Sequence, residues 1–242
     1  MLAKELIFSD WGEIAYKDAW DLQESFLKAN SDAKLLARKE GNTQANTINY
    51  LFFCSHPHVF TLGKSGSENH LLLKEAFLEK IDATYYKTNR GGDITYHGPG
   101  QIVGYPILDL ELFKTDIHWY LRSLEECIIL VCKHYGLNAG RVEGLTGVWI
   151  EPESPFKRKI CAMGVKASRW ITMHGFALNV NTDLNYFDYI VPCGISEFGV
   201  TSLEKELGRR IEIEDVKTLL KEIFIQVFNV NFKNVPRETF IQ

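Results

Sequence analysis

The chain has 242 residues, 45% hydrophobic and 24% charged, a balance that supports a substantial buried core and excludes intrinsic disorder. Its formal net charge of -4 gives no general attraction to nucleic acid or to an anionic membrane. Cys54, Cys127, Cys132, Cys161 and Cys193 form an odd set without a CxxC pair, and no signal-peptide core, transit segment or spanning apolar helix is found, so a reducing cytoplasm is the expected compartment.

No repeat, low-complexity tract or Pro/Gly/Ser-rich linker divides the sequence, which predicts one domain over residues 1–242 with residues 210–242 as a candidate C-terminal subdomain. Residues 16–39 contain few breakers, and Trp20, Phe26, Leu27 and Leu35 recur at helical intervals, so a long helix is predicted there. Strands are expected at 48–54, 84–87 and 102–108. A second helix is predicted over 116–135, with Trp119, Leu121, Leu124, Ile128 and Val131 as its apolar face and Gly136 as its stop. Cys127 and Cys132 fall inside it at a spacing that does not suit a shared metal, so both read as structural. Further strands are expected at 146–150, 160–167 and 172–179. The capping-box pattern Thr201-Ser202-Leu203-Glu204 opens a predicted short helix over 201–207, and a last helix runs from 214 to about 229. Several successive strands are joined by short Gly-containing turns rather than by helices, which favours an α+β fold, a mixed β-sheet with flanking helices, over a doubly wound parallel sheet.

Five segments carry candidate chemistry. Cys193 lies between Pro192 and Gly194, where one neighbour fixes its own φ and the other admits unusual backbone angles, a setting that presents a thiol on a turn. A buried packing role is the alternative for any cysteine. The run Arg90-Gly91-Gly92-Asp93-Ile94-Thr95-Tyr96-His97-Gly98-Pro99-Gly100-Gln101 lets backbone approach a ligand closely, with Arg90 and His97 able to orient a carbonyl or phosphate. Its spacing is neither a Walker loop nor a dinucleotide fingerprint, and a plain turn is the competing reading. Lys159 enters a strand that is otherwise apolar on both faces; it is either a snorkelling surface residue or, if desolvated beside a thiol, a stabiliser of the thiolate or a proton acceptor. Cys161 shares its strand face by simple alternation and is a rival nucleophile with apolar neighbours. His174, flanked by Met173, is open to a structural role or to work as a general base. Cys54, His56 and His58 share one face of an extended strand and have metal-ligand chemistry, but Pro57 breaks the regularity and no fourth ligand stands near, so a loop or substrate-wall role is favoured over a metal site. The basic clusters Lys157-Arg158-Lys159 and Arg209-Arg210 read as solvated surface, with docking of an acidic partner as the alternative.

Taken together, the runs 56–63, 90–101, 159–164, 174–179 and 191–194 make the chain resemble the lipoyl(octanoyl) transferases, in order from about residue 50 to 207. The resemblance implies the fold of the biotin/lipoate protein ligase catalytic domain. It also implies transfer of an octanoyl group from acyl carrier protein to a lysine of a lipoyl domain, the first step of endogenous protein lipoylation. By position, Cys193 matches the acyl-thioester nucleophile and Lys159 the lysine that lowers its pKa. The substrate pocket is implied to be lined by Arg90, Gly91, Gly92, Asp93, Ile94, Thr95, Tyr96 and His97, by Ala162, Met163 and Gly164, and by Gly175, Phe176 and Ala177. Cys161 stands where alanine is more usual in the family and Asp93 where glutamine is common. The implied partners are acyl carrier protein, whose phosphopantetheine carries the donor, and the lipoyl domains of 2-oxoacid dehydrogenase complexes and glycine cleavage H protein. No other cofactor and no metal is expected. An ATP-dependent lipoate ligase, a lipoyl amidotransferase, a cysteine hydrolase using Cys193 and His174, and a non-catalytic lipoyl-domain-binding module are the competing functions. In the pocket, Ala162, Gly164, Gly175 and Ala177 are expected to leave the volume for the acyl chain, with Met163 and Phe176 bounding it.

Overall fold

The computed structural model describes residues 3–42, 44–73, 75–191 and 199–241, so Cys193 lies outside the described residues. In chain order the elements are β1 (Lys4–Glu13), α1 (Tyr16–Lys39), β2 (Tyr50–Ser55), β3 (Val59–Leu62), α2 (Glu75–Leu78), β4 (Thr84–Lys87), β5 (Ile94–His97), β6 (Gln101–Ile107), α3 (Ile117–His134), β7 (Ala139–Val142), β8 (Leu145–Ile150), β9 (Arg158–Ser168), β10 (Ile171–Asn179), β11 (Gly199–Val200), α4 (Leu203–Leu207), α5 (Ile213–Phe228) and β12 (Val230–Asn234). Among the described residues a large sheet runs β12-β1-β2-β6-β10-β9-β8-β7, with β11 beside β9, and a small sheet runs β4-β3-β5. The pairs β12/β1, β1/β2 and β11/β9 are parallel, while β2 through β7 along that order are antiparallel. This is the expected α+β arrangement with a mixed sheet.

Strand alternation divides the large sheet's side chains between two cores. Leu51 and Phe53 of β2 face α3 and α5, where they meet Leu124, Ile128, Val131, Leu220 and Phe224. Tyr50, Phe52 and Cys54 face the other way, against Trp11 and α1 residues Ala19 and Leu27. A third cluster, centred on Phe60, Ile94 and Tyr96, fills the underside of the small sheet against Phe187 and Ile190. α3 begins where Asp116 Oδ1 accepts from the Trp119 amide at 2.9 Å, a side-chain cap that satisfies one of the otherwise unpaired first-turn donors. Cys127 and Cys132 are both buried in its packed face.

Three expectations need correction. The buried stripe of α1 is Tyr16, Ala19, Gln23, Leu27, Asn30, Lys34 and Ala37, so Leu35 is exposed and Lys34 is not. The reason is pairing: Lys34 Nζ reaches Asp109 Oδ1 at 2.7 Å and donates to the Arg169 carbonyl at 2.9 Å, which makes a buried ammonium tolerable. The cap of α4 is Ser202, whose Oγ accepts from the Lys205 amide at 3.2 Å, whereas Thr201 Oγ1 donates to Glu206 Oε1 at 2.5 Å. The helix therefore starts after Ser202 and not at Thr201. Finally, the sequence pattern does not mark β1, β3, β5, β7, β11 and β12. In β1 the register shifts between Asp10 and Glu13, around Gly12 at φ 62°, and that irregularity breaks the period-two signal of Leu6 and Phe8.

Candidate active site

The glycine-rich run lies across the large sheet because two glycines permit contact between backbones. The Gly91 amide donates to the Val165 carbonyl of β9 at 2.9 Å, and a Cβ on Gly164 would stand 2.6 Å from the Gly91 oxygen. Similarly, a Cβ on Gly175 would lie 2.1 Å from the Gly104 oxygen. The space expected to be left by Gly164 and Gly175 is thus filled by the protein's own main chain. Arg90 is buried, and its Nη2 donates to the Thr61 carbonyl and hydroxyl at 2.5 and 2.9 Å, so its guanidinium fastens the loop to β3.

Between this loop and strands β6, β9 and β10 is a cavity of about 530 Å³. Its lining contains Lys159, every residue from Arg90 to His97, Ala162 to Gly164, and His174 to Ala177. Four separate segments of the sequence thus converge on one space. Sequence reasoning missed other parts of the wall: Tyr16 from α1, Ile117 and Leu121 from α3, and Leu145 and Thr146 at the start of β8. No motif marks these residues, which reach the cavity only through the packing of α1, α3 and β8. Val200 also lines it, and β11 sets Val200 directly opposite Lys159. The Thr201 amide then donates to the Lys159 carbonyl at 3.0 Å, and Asn179 Nδ2 donates to the Thr201 carbonyl at 2.9 Å.

Lys159 and Cys161 do not share a face. β9 pairs Lys159 with Trp149 but Cys161 with Val148, so Ile160 is an extra residue in the ladder. The bulge sends Lys159 to the cavity, with its ammonium 4.6 Å from the centre of the Trp149 ring. Ile160 and Cys161 are both buried in the core against α3. Burial pushes the Cys161 thiol well above the usual range, and an inert packing role replaces that of rival nucleophile.

Burial disfavours the charged form of His97 and His174 at the cavity and of His56 beside it. His174 has φ 58° in mid-strand, and its amide donates to Gln23 Oε1 at 2.8 Å. Its Nε2 is 2.7 Å from Asn89 Oδ1, and because Asn89 Nδ2 donates to Glu24 Oε1 at 2.6 Å, the imidazole must carry its proton on Nε2. Burial, with the Arg90 and Lys166 charges nearby, brings the His174 pKa down to about 3. His97, held between Gln101 Oε1 at 3.3 Å and Thr61 Oγ1 at 3.4 Å, is likewise held well below the usual range by burial. His56 donates from Nδ1 to the Ile14 carbonyl at 2.7 Å and accepts from the Tyr105 hydroxyl at 2.7 Å, and burial lowers it to about 4. Cys54 Sγ lies 3.6 Å from that Nε2, whereas His58 turns away to the Tyr96 hydroxyl at 2.7 Å. Cys54, His56 and His58 thus serve separate hydrogen bonds, and among the described residues no group of His, Cys, Asp or Glu side chains is arranged to hold a metal ion.

The lipoyl protein ligase A/B catalytic domain matches residues 15–225. The chain belongs to that family. Its relatives include octanoyltransferases from Flavobacterium johnsoniae, 57% identical with 93% of this chain and 97% of the relative covered, and from Christiangramia forsetii, 56% identical with 95% and 98% covered. Like them, the chain is an acyltransferase. Among solved structures it superposes on a lipoate-protein ligase A bound with ATP at TM-score 0.73, with 15% identity and 99% and 92% of the two chains covered. A bi-partite lipoate protein ligase from Thermoplasma acidophilum gives 0.71, with 16% identity and 98% and 90% covered. These likenesses show the lipoate-ligase fold. Within the described residues no helix is long and apolar enough to cross a membrane.

Proposed function

We propose that this octanoyltransferase takes its acyl group from octanoyl-acyl carrier protein and delivers it to the lysine of a lipoyl domain through a thioester on Cys193. The observation that carries this reading is the convergence of Lys159 with the runs 90–97, 162–164 and 174–177 on one cavity, at the point where the chain returns from the Cys193 segment to pair Val200 with Lys159.

In the first half-reaction the Cys193 thiolate attacks the donor carbonyl, forming the new carbon–sulfur bond as the bond to the carrier sulfur breaks. The Lys159 ammonium stabilises the thiolate beforehand and protonates the departing carrier thiolate. Lys159, now neutral, accepts a proton from the incoming lysine amine, whose nitrogen attacks the thioester carbonyl and releases Cys193. A thioester donor brings its own leaving group, so no nucleotide is consumed and no cofactor beyond the carrier's phosphopantetheine takes part. The Gly91 amide is engaged by the Val165 carbonyl and so is not available to an oxyanion. Burial of the acyl methylenes contributes roughly 0.8 kcal/mol each. Ala162, Ala177 and Met163 of the lining are the side chains that meet them. The acceptors on this reading are lipoyl domains of 2-oxoacid dehydrogenase complexes and glycine cleavage H protein, in the cytoplasm.

The test is intact mass spectrometry after incubation with octanoyl-acyl carrier protein. An octanoyl adduct that hydroxylamine removes, and that is absent as a thioester in Cys193→Ser, is expected. Transfer from free octanoate and ATP that survives Cys193→Ala would overturn the proposal in favour of adenylate chemistry.

A further inference from the structure

Glu125 of α3 is wholly buried, yet it belongs to no part of the reaction described above. Its Oε2 meets Arg122 Nη1 at 2.9 Å and Arg141 Nε at 3.0 Å, so its charge is compensated. Its other oxygen does something a simple ion pair does not need: Oε1 accepts from the backbone amide of Gly147 at 3.0 Å. Gly147 has φ 109°, and a Cβ there would lie 2.5 Å from the Cys161 carbonyl oxygen and 3.6 Å from Lys159 Cε. Gly147 follows Thr146 of the cavity wall, and Glu125 follows the lining residue Leu121 by one helical turn.

We propose that Glu125 is a positioning residue for Lys159. By holding the Gly147 amide, it fixes the start of β8 in the conformation against which β9 bulges at Ile160, and that bulge is what turns Lys159 into the cavity and Cys161 into the core. The inference rests on the reading of Lys159 as the charge partner of the nucleophile.

Two conservative substitutions separate reach from charge. Glu125→Asp keeps a carboxylate for Arg122 and Arg141 but is one methylene too short for Gly147. Glu125→Gln loses the charge but keeps an oxygen at full reach. Expected for Glu125→Asp is a fall in kcat of about tenfold or more, the scale at which sub-ångström misplacement acts, with KM for octanoyl-acyl carrier protein little changed. The rate of reductive methylation of Lys159, read by peptide mass spectrometry, shifts in the same variant. Glu125→Gln retains most of the wild-type kcat and the wild-type Lys159 methylation rate. Wild-type kcat and methylation in Glu125→Asp, or loss confined to Glu125→Gln, overturns the proposal and leaves Glu125 a structural ion pair. A Lys159→Met arm keeps the two readings apart: full transfer activity in that variant sinks the role of Lys159 in catalysis, while the methylation rates still decide whether Glu125 orients it.

Discussion

Lys159 and Cys161, two positions apart on one strand, lie on opposite sides of the sheet, one at the cavity and the other in the core beneath α3. Cys161→Ala should therefore preserve octanoyl transfer and cost only the packing of one small buried group, about 1 kcal/mol. In the native protein, alkylation at mildly alkaline pH should leave Cys54, Cys127, Cys132 and Cys161 unmodified, because all four are buried. Peptide mapping before and after unfolding measures this; rapid native labelling of Cys161 would contradict its placement.

The contact of the Gly91 oxygen with the bare α-carbon of Gly164 makes a second prediction. Gly164→Ala must push the Arg90–Gly91 loop off β9, since the added carbon would meet that oxygen at 2.6 Å. The expected cost is about 1–3 kcal/mol of stability from overpacking, together with a larger fall in kcat/KM, because the displaced atoms are cavity wall. Urea unfolding and steady-state kinetics on one preparation separate the two effects. Wild-type kinetics in a folded Gly164→Ala protein would show that the loop position is immaterial.

Acid should unfold this protein through its histidines. Burial lowers the folded-state pKa of His56 to about 4 and of His174 to about 3, below the unfolded value near 6.5. Above the unfolded value both states are neutral at these positions and the full stability is present. As pH falls below it the unfolded chain takes up protons that the folded chain does not, and each group removes about 1.4 kcal/mol per pH unit until its folded pKa is reached. The urea midpoint should fall steadily from pH 6.5 to pH 5, and the His56 and His174 ring resonances should not titrate between pH 8 and 5.

The buried Lys34–Asp109 pair offers a fourth test. Asp109 Oδ2 also accepts from Thr47 Oγ1 at 2.9 Å and its Oδ1 from the Glu111 amide at 3.1 Å, so the carboxylate is fully engaged, while the Asp109 amide itself donates to Asn49 Oδ1 at 2.8 Å. Lys34→Met alone leaves that carboxylate without its cation and should cost about 3–5 kcal/mol. The paired change with Asp109→Leu should cost less than Lys34→Met, as measured by a double-mutant cycle in urea. Neither residue lines the cavity, so kcat of the folded fraction should not move.

How much of this was legible in the sequence depended on how local each signal was. α1 was readable end to end because no glycine or proline interrupts it, but its buried face was not. Lys34 and Asn30 are inside because of partners supplied by Arg169, Asp109 and Ile48, far along the chain. The cavity residues carried by motifs, Arg90 to His97 and His174 to Ala177, could be named in advance, since glycine and histidine at fixed spacing leave a readable trace. Leu121, Thr146 and Glu125 could not, because they acquire their places only when α3 lies against β8. The Ile160 bulge was also invisible: alternation is the only rule a strand sequence offers, and a single extra residue reverses it.

The meeting of β1 with β12 has a consequence for how the molecule comes into being. Lys4 to Phe8 find one of their two neighbours in Val230 to Asn234, more than 200 residues further on, so the outer rim of the main sheet stays open until that distant segment has left the ribosome. Ending translation before Val230 would leave a long unsatisfied backbone ridge available to any other extended chain, and self-association, rather than a merely slower catalyst, is the fate such a fragment invites.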